Sequence, residues 1–348
     1  MQKTDIKSLN MPELRAAAAE MGLPSFRAGQ IYKWLHKAGV TEFSEMTDIP
    51  LKLREKLNER YTIFACSIAK KLISEYDNTV KYLFRLHDGE FVESVLMQYS
   101  YGYTLCVSTQ VGCKMACTFC ASTIGGCVRN LHASEMLGQI HAAEKDMGVR
   151  VSHIVLMGMG EPLDNFEETL RFLELVSDEN GLHIGMRNIS LSTCGIVPRI
   201  YDLMEKRLQL TLSVSLHAPN DALRSQIMPV NRKWGVDELL EACRKYAKVT
   251  SRRISFEYVM IHDVNDTQAC ANELAAKLRG ILCHINLIPV NEVRGRRQQS
   301  SSAKRLDTFV ETLSNKGYAV TVRRRLGFDI DASCGQLRRT VSDTEGAV

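Results

Sequence analysis

Apolar residues recur at helical spacing along the first sixty positions, and the pattern then changes. The segments "MPELRAAAAEMG" (11–22) and "FRAGQIYKWLHKAG" (26–39) read as helices. Each stops at a glycine, Gly22 or Gly39, where a left-handed cap residue is expected. "PLKLREKLNERY" (50–61) predicts a third helix. Strand-like alternation follows in "TIFACSIAKKLIS" (62–74) and "KYLFRLHDGEFVESVLM" (81–97), with "HDGE" as the turn between two hairpin arms. From about residue 100 the pattern becomes strand, loop, helix, repeated. The predicted strands are "TLCVSTQ" (104–110), "HIVLMGM" (153–159), "NISLST" (188–193), "LTLSVSL" (210–216), "RISFEYVMI" (253–261) and "HINLIPV" (284–290). Amphipathic helices lie between them; in "VDELLEACRKYA", Val236, Leu239, Leu240 and Cys243 fall on one face. Six such units imply an α/β fold with a parallel sheet and helices outside it, curled by right-handed crossovers. Too little chain remains for eight units, so an open six-unit barrel is expected.

Polar and glycine-rich residues cluster just after the strand ends. They are "GMGEP" (158–162), "STCG" (192–195), "SLHAP" (215–219) and "PVN" (289–291). In α/β sheets ligands bind outside the carboxyl ends of the strands, so these segments share one functional rim. Composition adds little at first. The 348 residues carry a net charge of +4, ordinary for a globular protein with a large core. Locally, "RGRRQQSSSAKR" (294–305) has no acidic residue, and "VRRRLG" groups Arg323, Arg324 and Arg325; each is either a nucleic-acid contact or a solvated surface. "MQKTDIKSLN" has no apolar core of the kind a secretory signal needs, and no apolar run approaches the roughly 20 residues that span a bilayer. Eleven cysteines without a signal then point to a reducing cytosol, and to metal binding or catalysis rather than structural disulfides.

"CKMACTFC" concentrates that chemistry. Cys113, Cys117 and Cys120 form C-x3-C-x2-C immediately after the first barrel strand. Thiolates suit zinc or an iron–sulfur cluster. Zinc would need a fourth ligand, with Cys127 and His132 as the candidates. The three-residue gap is unusual for zinc knuckles, however, and three ligands on a cluster leave one iron free for a ligand waiting on the same rim. Cys243 and Cys270 lie on apolar helix faces and read as core, as do Cys66 and Cys283 beside strands. Cys194 lies on the rim where a small residue would suffice.

The triplet after the first strand of a partial barrel resembles the radical S-adenosylmethionine superfamily. "LCVSTQVGCKMACTFCASTIGGCVRNL", "MGMGEPLDN", "SLHAPND", "INLIPVN" and "DIDASCGQL", with "FRAGQIYKWLHK" near the start, narrow the resemblance to its dual-specificity ribosomal and transfer RNA adenine-2 methyltransferases, the RlmN type. The resemblance covers nearly the whole chain. It implies a partial (β/α)6 radical-SAM barrel over 99–300, an N-terminal helical RNA-binding module over 1–60, an antiparallel extension over 61–98, and a C-terminal helix and strand over 301–348.

The resemblance also implies one 4Fe–4S cluster on Cys113, Cys117 and Cys120, whose free iron chelates S-adenosylmethionine. Contacts to that cofactor carry over to Gly160, Glu161, Ser192, Ser215, Leu216, His217 and Asn291. Carbon-2 of adenine is electron-poor and does not attack a sulfonium methyl as an amine would, so a thiolate must collect the methyl first. In the resembled family this is the cysteine matching Cys334. One S-adenosylmethionine methylates it; a second yields a 5′-deoxyadenosyl radical that activates the S-methyl group for addition to the base. Glu93 matches the family's proton acceptor, and Cys106 matches the thiol that releases product through a transient disulfide with Cys334. Expected partners are 23S ribosomal RNA and transfer RNA, an electron donor such as flavodoxin or ferredoxin, and no membrane, with the chain a cytoplasmic monomer. Two alternatives stand beside this reading: the sister activity at adenine carbon-8, and a zinc-stabilised RNA-binding protein without catalysis.

Overall fold

A computed structural model describes residues 3–293 and 295–338. Arg294, at the start of the basic loop, and the tail "SDTEGAV" lie outside the described residues. The N-terminal module comprises β1 (Thr4–Asp5), α1 (Met11–Glu20), α2 (Ser25–His36), α3 (Leu51–Arg60) and β2 (Tyr61–Thr62). Its helices begin and end for local reasons. Asn10 and Glu13 form a capping box on α1, while Gly22 and Gly39 adopt left-handed φ values of 70° and 65° after α1 and α2. The module buries Leu14, Ile31, Tyr32, Leu35 and Leu57 in an apolar core continuous with that of the barrel.

β3 (Ser67–Ile73), β4 (Val80–Arg85) and β5 (Phe91–Tyr99) follow as an antiparallel meander, and Gly89 at φ 88° sits in the predicted "HDGE" turn. The barrel portion runs β6 (Gly102–Cys106), β7 (Gln110–Gly112), β8 (Cys127–Asn130), α4 (Ala133–Met147), β9 (Val151–Leu156), α5 (Phe166–Ser177), β10 (Ile189–Thr193), α6 (Val197–Glu205) and β11 (Thr211–Ser215). It continues with α7 (Asp221–Ile227), α8 (Val236–Thr250), β12 (Ile254–Met260), α9 (Gln268–Lys277), β13 (Cys283–Pro289), α10 (Ala303–Asn315) and β14 (Val320–Val322). Meander and barrel form one ten-stranded sheet in the order β14-β13-β12-β11-β10-β9-β6-β5-β4-β3. The strands from β14 to β6 pair in parallel, and β5, β4 and β3 continue antiparallel.

Two features differ from the pattern-based reading. "TLCVSTQ" is not one strand: β6 stops at Cys106, and the chain turns through Val107–Thr109 into the β7–β8 hairpin that frames the cysteine loop. β14 adds a seventh parallel strand beyond the six predicted, beside β13. The interior of the open barrel is polar. Ser190 and Ser192 of β10, Ser213 and Ser215 of β11, Ser255 and Glu257 of β12 and Asn286 of β13 occupy alternate positions, bridged by contacts such as Ser190 Oγ to Ser213 Oγ at 2.9 Å. The intervening Leu191, Leu212, Val214, Phe256 and Leu287 are fully buried under the helices. Each such side chain contributes roughly 1.5–3 kcal/mol on leaving water. That outer apolar layer holds the sheet, leaving the inner face free for chemistry. Among the described residues no helix is long and apolar enough to cross a membrane.

Candidate active site

The carboxyl ends of the parallel strands open on a cavity of about 960 Å³. Its wall carries Cys113, Cys117 and Cys120 from the loop after β7, Gly160 and Glu161 after β9, and Ser192 at the end of β10. Ser215, His217, Asn291 and Cys334 complete it. Residues far apart in the sequence therefore meet on one rim, as the strand-end motifs predict. Leu216 is the exception. It follows β11 between two cavity-lining residues, so strand alternation turns its side chain into the helix layer, where it is fully buried. Its backbone carbonyl accepts a hydrogen bond from Arg224 Nε at 2.9 Å.

Glu161 is buried, and its carboxylate accepts the Cys194 N–H at 2.7 Å and the Leu163 N–H at 3.0 Å. Burial nevertheless raises its pKa. Cys194 thus holds the Glu161 carboxylate with its backbone N–H, and its thiol also meets that carboxylate. Gly160, at φ 102°, passes against Gln110, and an added Cβ would stand 2.6 Å from the Gln110 Cβ. Gln110 Oε1 accepts the Glu161 N–H at 2.9 Å, so the cradle is fixed from below. His217 accepts the Val259 N–H at Nδ1, 3.0 Å away, which puts the proton of the neutral ring on Nε2. Burial depresses its pKa to about 3, so the ring is neutral at physiological pH. Its ring meets Phe119 of the cysteine loop edge-on at 5.0 Å.

Arg224 is fully buried behind this wall, and among the described residues its acceptors are all uncharged oxygens: the carbonyls of Leu216, Ser215 and Cys194, and Asn231 Oδ1. The three loop thiols suit an iron–sulfur cluster in chemistry and in setting. Burial pushes Cys113 up to about 12 and raises Cys117 and Cys120 as well, so as isolated thiols they would stay protonated; a cationic cluster provides the charge that favours thiolates. They line a wall instead of closing on a single-ion position, and Cys127 and His132 lie off that wall. His132 instead faces Glu168, 3.6 Å away.

A second cavity of about 540 Å³ adjoins the first. Cys120, Met157, Gly158, Arg323, Cys334 and Gly335 belong to both walls, and Cys106 lines the second. Burial pushes the Cys106 thiol up to about 12, with Cys334 raising it further. The segment carrying Cys334 is stitched in place. Asn291 Nδ2 donates to the Cys334 carbonyl at 3.0 Å, the Ala121 N–H donates to Gly335 at 2.7 Å, and Ser122 Oγ donates to Leu337 at 2.6 Å. Glu93 shares a face of β5 with Val95 and Met97, which line the Cys106 cavity, but itself lines a neighbouring cavity of about 1010 Å³. It is buried, pairs with Lys81 Nζ at 3.0 Å and accepts the Arg338 N–H at 2.8 Å.

Composition-level reading missed several groups here. "VRRRLG" reads as either a nucleic-acid contact or a solvated surface, yet Arg323 lines both cavities, 3.8 Å from Glu257. Arg296, in the basic run read as a nucleic-acid contact or a solvated surface, is turned inward: its Nη2 donates to the Cys120 carbonyl at 3.2 Å and to Thr123 Oγ1 at 2.8 Å. Arg297 is exposed. Placement after a strand end on the rim would have singled out Arg323; nothing local marked Lys81 or Glu257.

Comparison with known proteins agrees with this geometry. Residues 107–271 match the Radical SAM superfamily model, and residues 4–63 match the ribosomal RNA large subunit methyltransferase N-terminal domain. A probable dual-specificity RNA methyltransferase RlmN of Alkaliphilus oremlandii is 51% identical over 97% of this chain and 98% of its own. A protein of the same description from Clostridium tetani is 49% identical over 96% of both. A crystal structure of a radical SAM methyltransferase from Sphaerobacter thermophilus superposes with a TM-score of 0.92 at 42% identity, covering 96% of this chain and 99% of that one. Radical SAM enzymes work with a 4Fe–4S cluster and S-adenosylmethionine, which the three thiols and the strand-end cradle suit. The chain belongs to the RlmN family of radical SAM RNA methyltransferases.

Proposed function

We propose that the chain methylates carbon-2 of adenine, in the peptidyl transferase centre of 23S ribosomal RNA and 3′ to the anticodon in some transfer RNAs, through a methyl group first accepted by Cys334. The observation that carries this reading is the position of Cys334 on the wall common to two cavities, with the cluster-loop thiols on one side and Cys106 on the other. The named relatives, described as dual-specificity RNA methyltransferases, support the substrate class. S-adenosylmethionine, when bound with the cluster, supplies a transferable methyl in one use and a hydrogen-abstracting radical in a second.

The protein's own groups do the rest. Cys113, Cys117 and Cys120 hold the cluster; Gly160, Glu161, Ser192, Ser215 and Asn291 frame the cofactor, with the His217 Nε2–H as a donor. Cys334 sulfur takes the methyl by displacement. After that methyl loses a hydrogen atom, its carbon bonds to adenine carbon-2 and links RNA to Cys334. The adduct gives up its carbon-2 proton to Glu93 and one electron, which the cluster held by Cys113, Cys117 and Cys120 would take up. Cys106 then attacks the Cys334 sulfur, the carbon–sulfur bond breaks, and the released carbon takes a proton to become the product methyl. The enzyme is left with a Cys106–Cys334 disulfide, which cellular thiols reduce. A small electron carrier such as flavodoxin or ferredoxin supplies the electron, and the N-terminal helices grip the folded RNA.

Mass spectrometry of nuclease-digested RNA after anaerobic turnover tests the assignment. The expected product is 2-methyladenosine; 8-methyladenosine would replace the carbon-2 reading with its sister activity. In the same assay Cys106→Ala is expected to accumulate RNA covalently joined at Cys334, and its absence would remove Cys106 from the release step.

A further inference from the structure

β4 and β5 are paired so that Leu83 faces Glu93 and Lys81 faces Val95. Lys81 is therefore the diagonal neighbour of Glu93 on one face of the sheet, within reach of a long side chain. Its ammonium lies 3.0 Å from Glu93 Oε1 and donates at 3.1 Å to the carbonyl of Asp331, three residues before Cys334. Lys81 and Glu93 are only 8% and 6% exposed, so this is a buried pair whose cation also grips the Cys334 segment.

We propose that Lys81 is a positioning residue for the RNA step: it keeps the Glu93 carboxylate charged and holds it in register with the segment that carries Cys334. This rests on Glu93 being the proton acceptor. Burial holds the Glu93 pKa above its ordinary value even with the pair formed, and Lys81 is the largest influence pulling it back. The other charged groups on the surrounding cavity are Lys70 from β3, Glu292 after β13, and Asp331 and Arg338 from the C-terminal segment. None of their side chains forms an ion pair with Glu93 among the described residues. In the step itself the carbon-2 proton passes to Glu93, and Lys81 keeps its own protons throughout. The Asp331 contact adds a geometric role, because a shift of the Cys334 segment would pull on the cation that orients the base.

Lys81→Met in the cluster-loaded protein tests the proposal. Methylation of Cys334 in the absence of RNA, read from the peptide mass, is expected to persist. RNA product formation is expected to fall about tenfold or more at neutral pH. Its acid limb should move upward by about 1–3 pH units, because an unpaired buried carboxylate holds its proton to higher pH. Lys81→Arg should return the limb toward its original position. An unshifted limb in a folded Lys81→Met protein would overturn the proposal and leave the pair a packing feature. If Lys81→Met does not fold, the infrared difference between the unsubstituted protein and Glu93→Gln decides. An ionised carboxylate at neutral pH agrees, and a protonated carboxyl band overturns it. Should Glu93→Gln methylate RNA at the full rate, the assignment of Glu93 fails instead, an outcome separate from either result for Lys81.

Discussion

Gly160 shows how one backbone conformation can decide a site. Its φ of 102° is closed to most L residues, and the Gln110 backbone nitrogen would stand 2.7 Å from an added Cβ. Gly160→Ala is expected to cost about 1–3 kcal/mol of stability and to abolish S-adenosylmethionine binding. Thermal unfolding and calorimetric titration of the cluster-loaded protein check both effects. His217 makes the opposite kind of prediction. Its pKa is depressed to about 3, so it adds no proton as pH falls through the ordinary histidine range. Cofactor affinity should therefore show no step attributable to His217 between about pH 5 and 8. A step there that disappears in His217→Gln would contradict the neutral-ring assignment. Gly160, Glu161, Ser192 and His217 could be found from sequence because strand-end position and residue type agree. Lys81 could not, since a lysine in a strand pattern looks the same whether it faces water or a buried carboxylate.

At the scale of elements, the joint between α2 and α4 has its own titration. The His36 ring packs at a tilt against Tyr32, 4.2 Å between ring centroids, and His141 lies 3.2 Å from the His36 carbonyl. Burial depresses His36 to about 3 and His141 well below its ordinary value, with the buried Lys7 acting on both in the same direction. Because the folded-state pKa values lie below the unfolded ones, their contribution to stability is full above about pH 6.5. It is lost as pH falls toward the folded values. The melting temperature should drop between about pH 6.5 and 4, and His36→Phe should flatten that limb while keeping the ring contact. An equal acid slope in His36→Phe would assign the loss elsewhere. Helix boundaries in this module were legible because capping is local: Asn10, Gly22 and Gly39 sit at or just beyond the ends that pattern assigns. The break in "TLCVSTQ" was not legible. Val107–Thr109 leave the β6 strand to bond Val155 and Met159 on and beyond β9, a contact across some fifty residues that no alternation encodes.

For the whole molecule, the basic loop after β13 divides its labour. Arg296 braces the cluster loop through Cys120 and Thr123, while Arg297 faces solvent. Arg297→Ala should weaken RNA binding and reduce the salt slope by about 0.7–0.9 if it meets one phosphate. Arg296→Ala should instead lower iron and sulfide retention on dilution, with a smaller change in salt slope. Equal effects of the two substitutions on the salt slope would mean that both meet RNA.

The sequence by itself determined the repeating strand–helix units, the thiol triplet and the strand-end motifs, because periodicity, capping and ligand spacing act over a few residues. It also contained the barrel's polar lining, as alternate serines in "NISLST" and "LTLSVSL". Tertiary structure alone decided the rest. Parallel pairing of β6 with β9 joined the meander to the barrel. That junction sets Glu93 and Lys81 beneath the Cys334 segment, and the return of the chain from residue 320 onward brings Arg323 and Cys334 against the cluster loop. Such contacts depend on chain closure over some two hundred residues, and it is closure that brings a buried ion pair and two thiols against the same C-terminal segment.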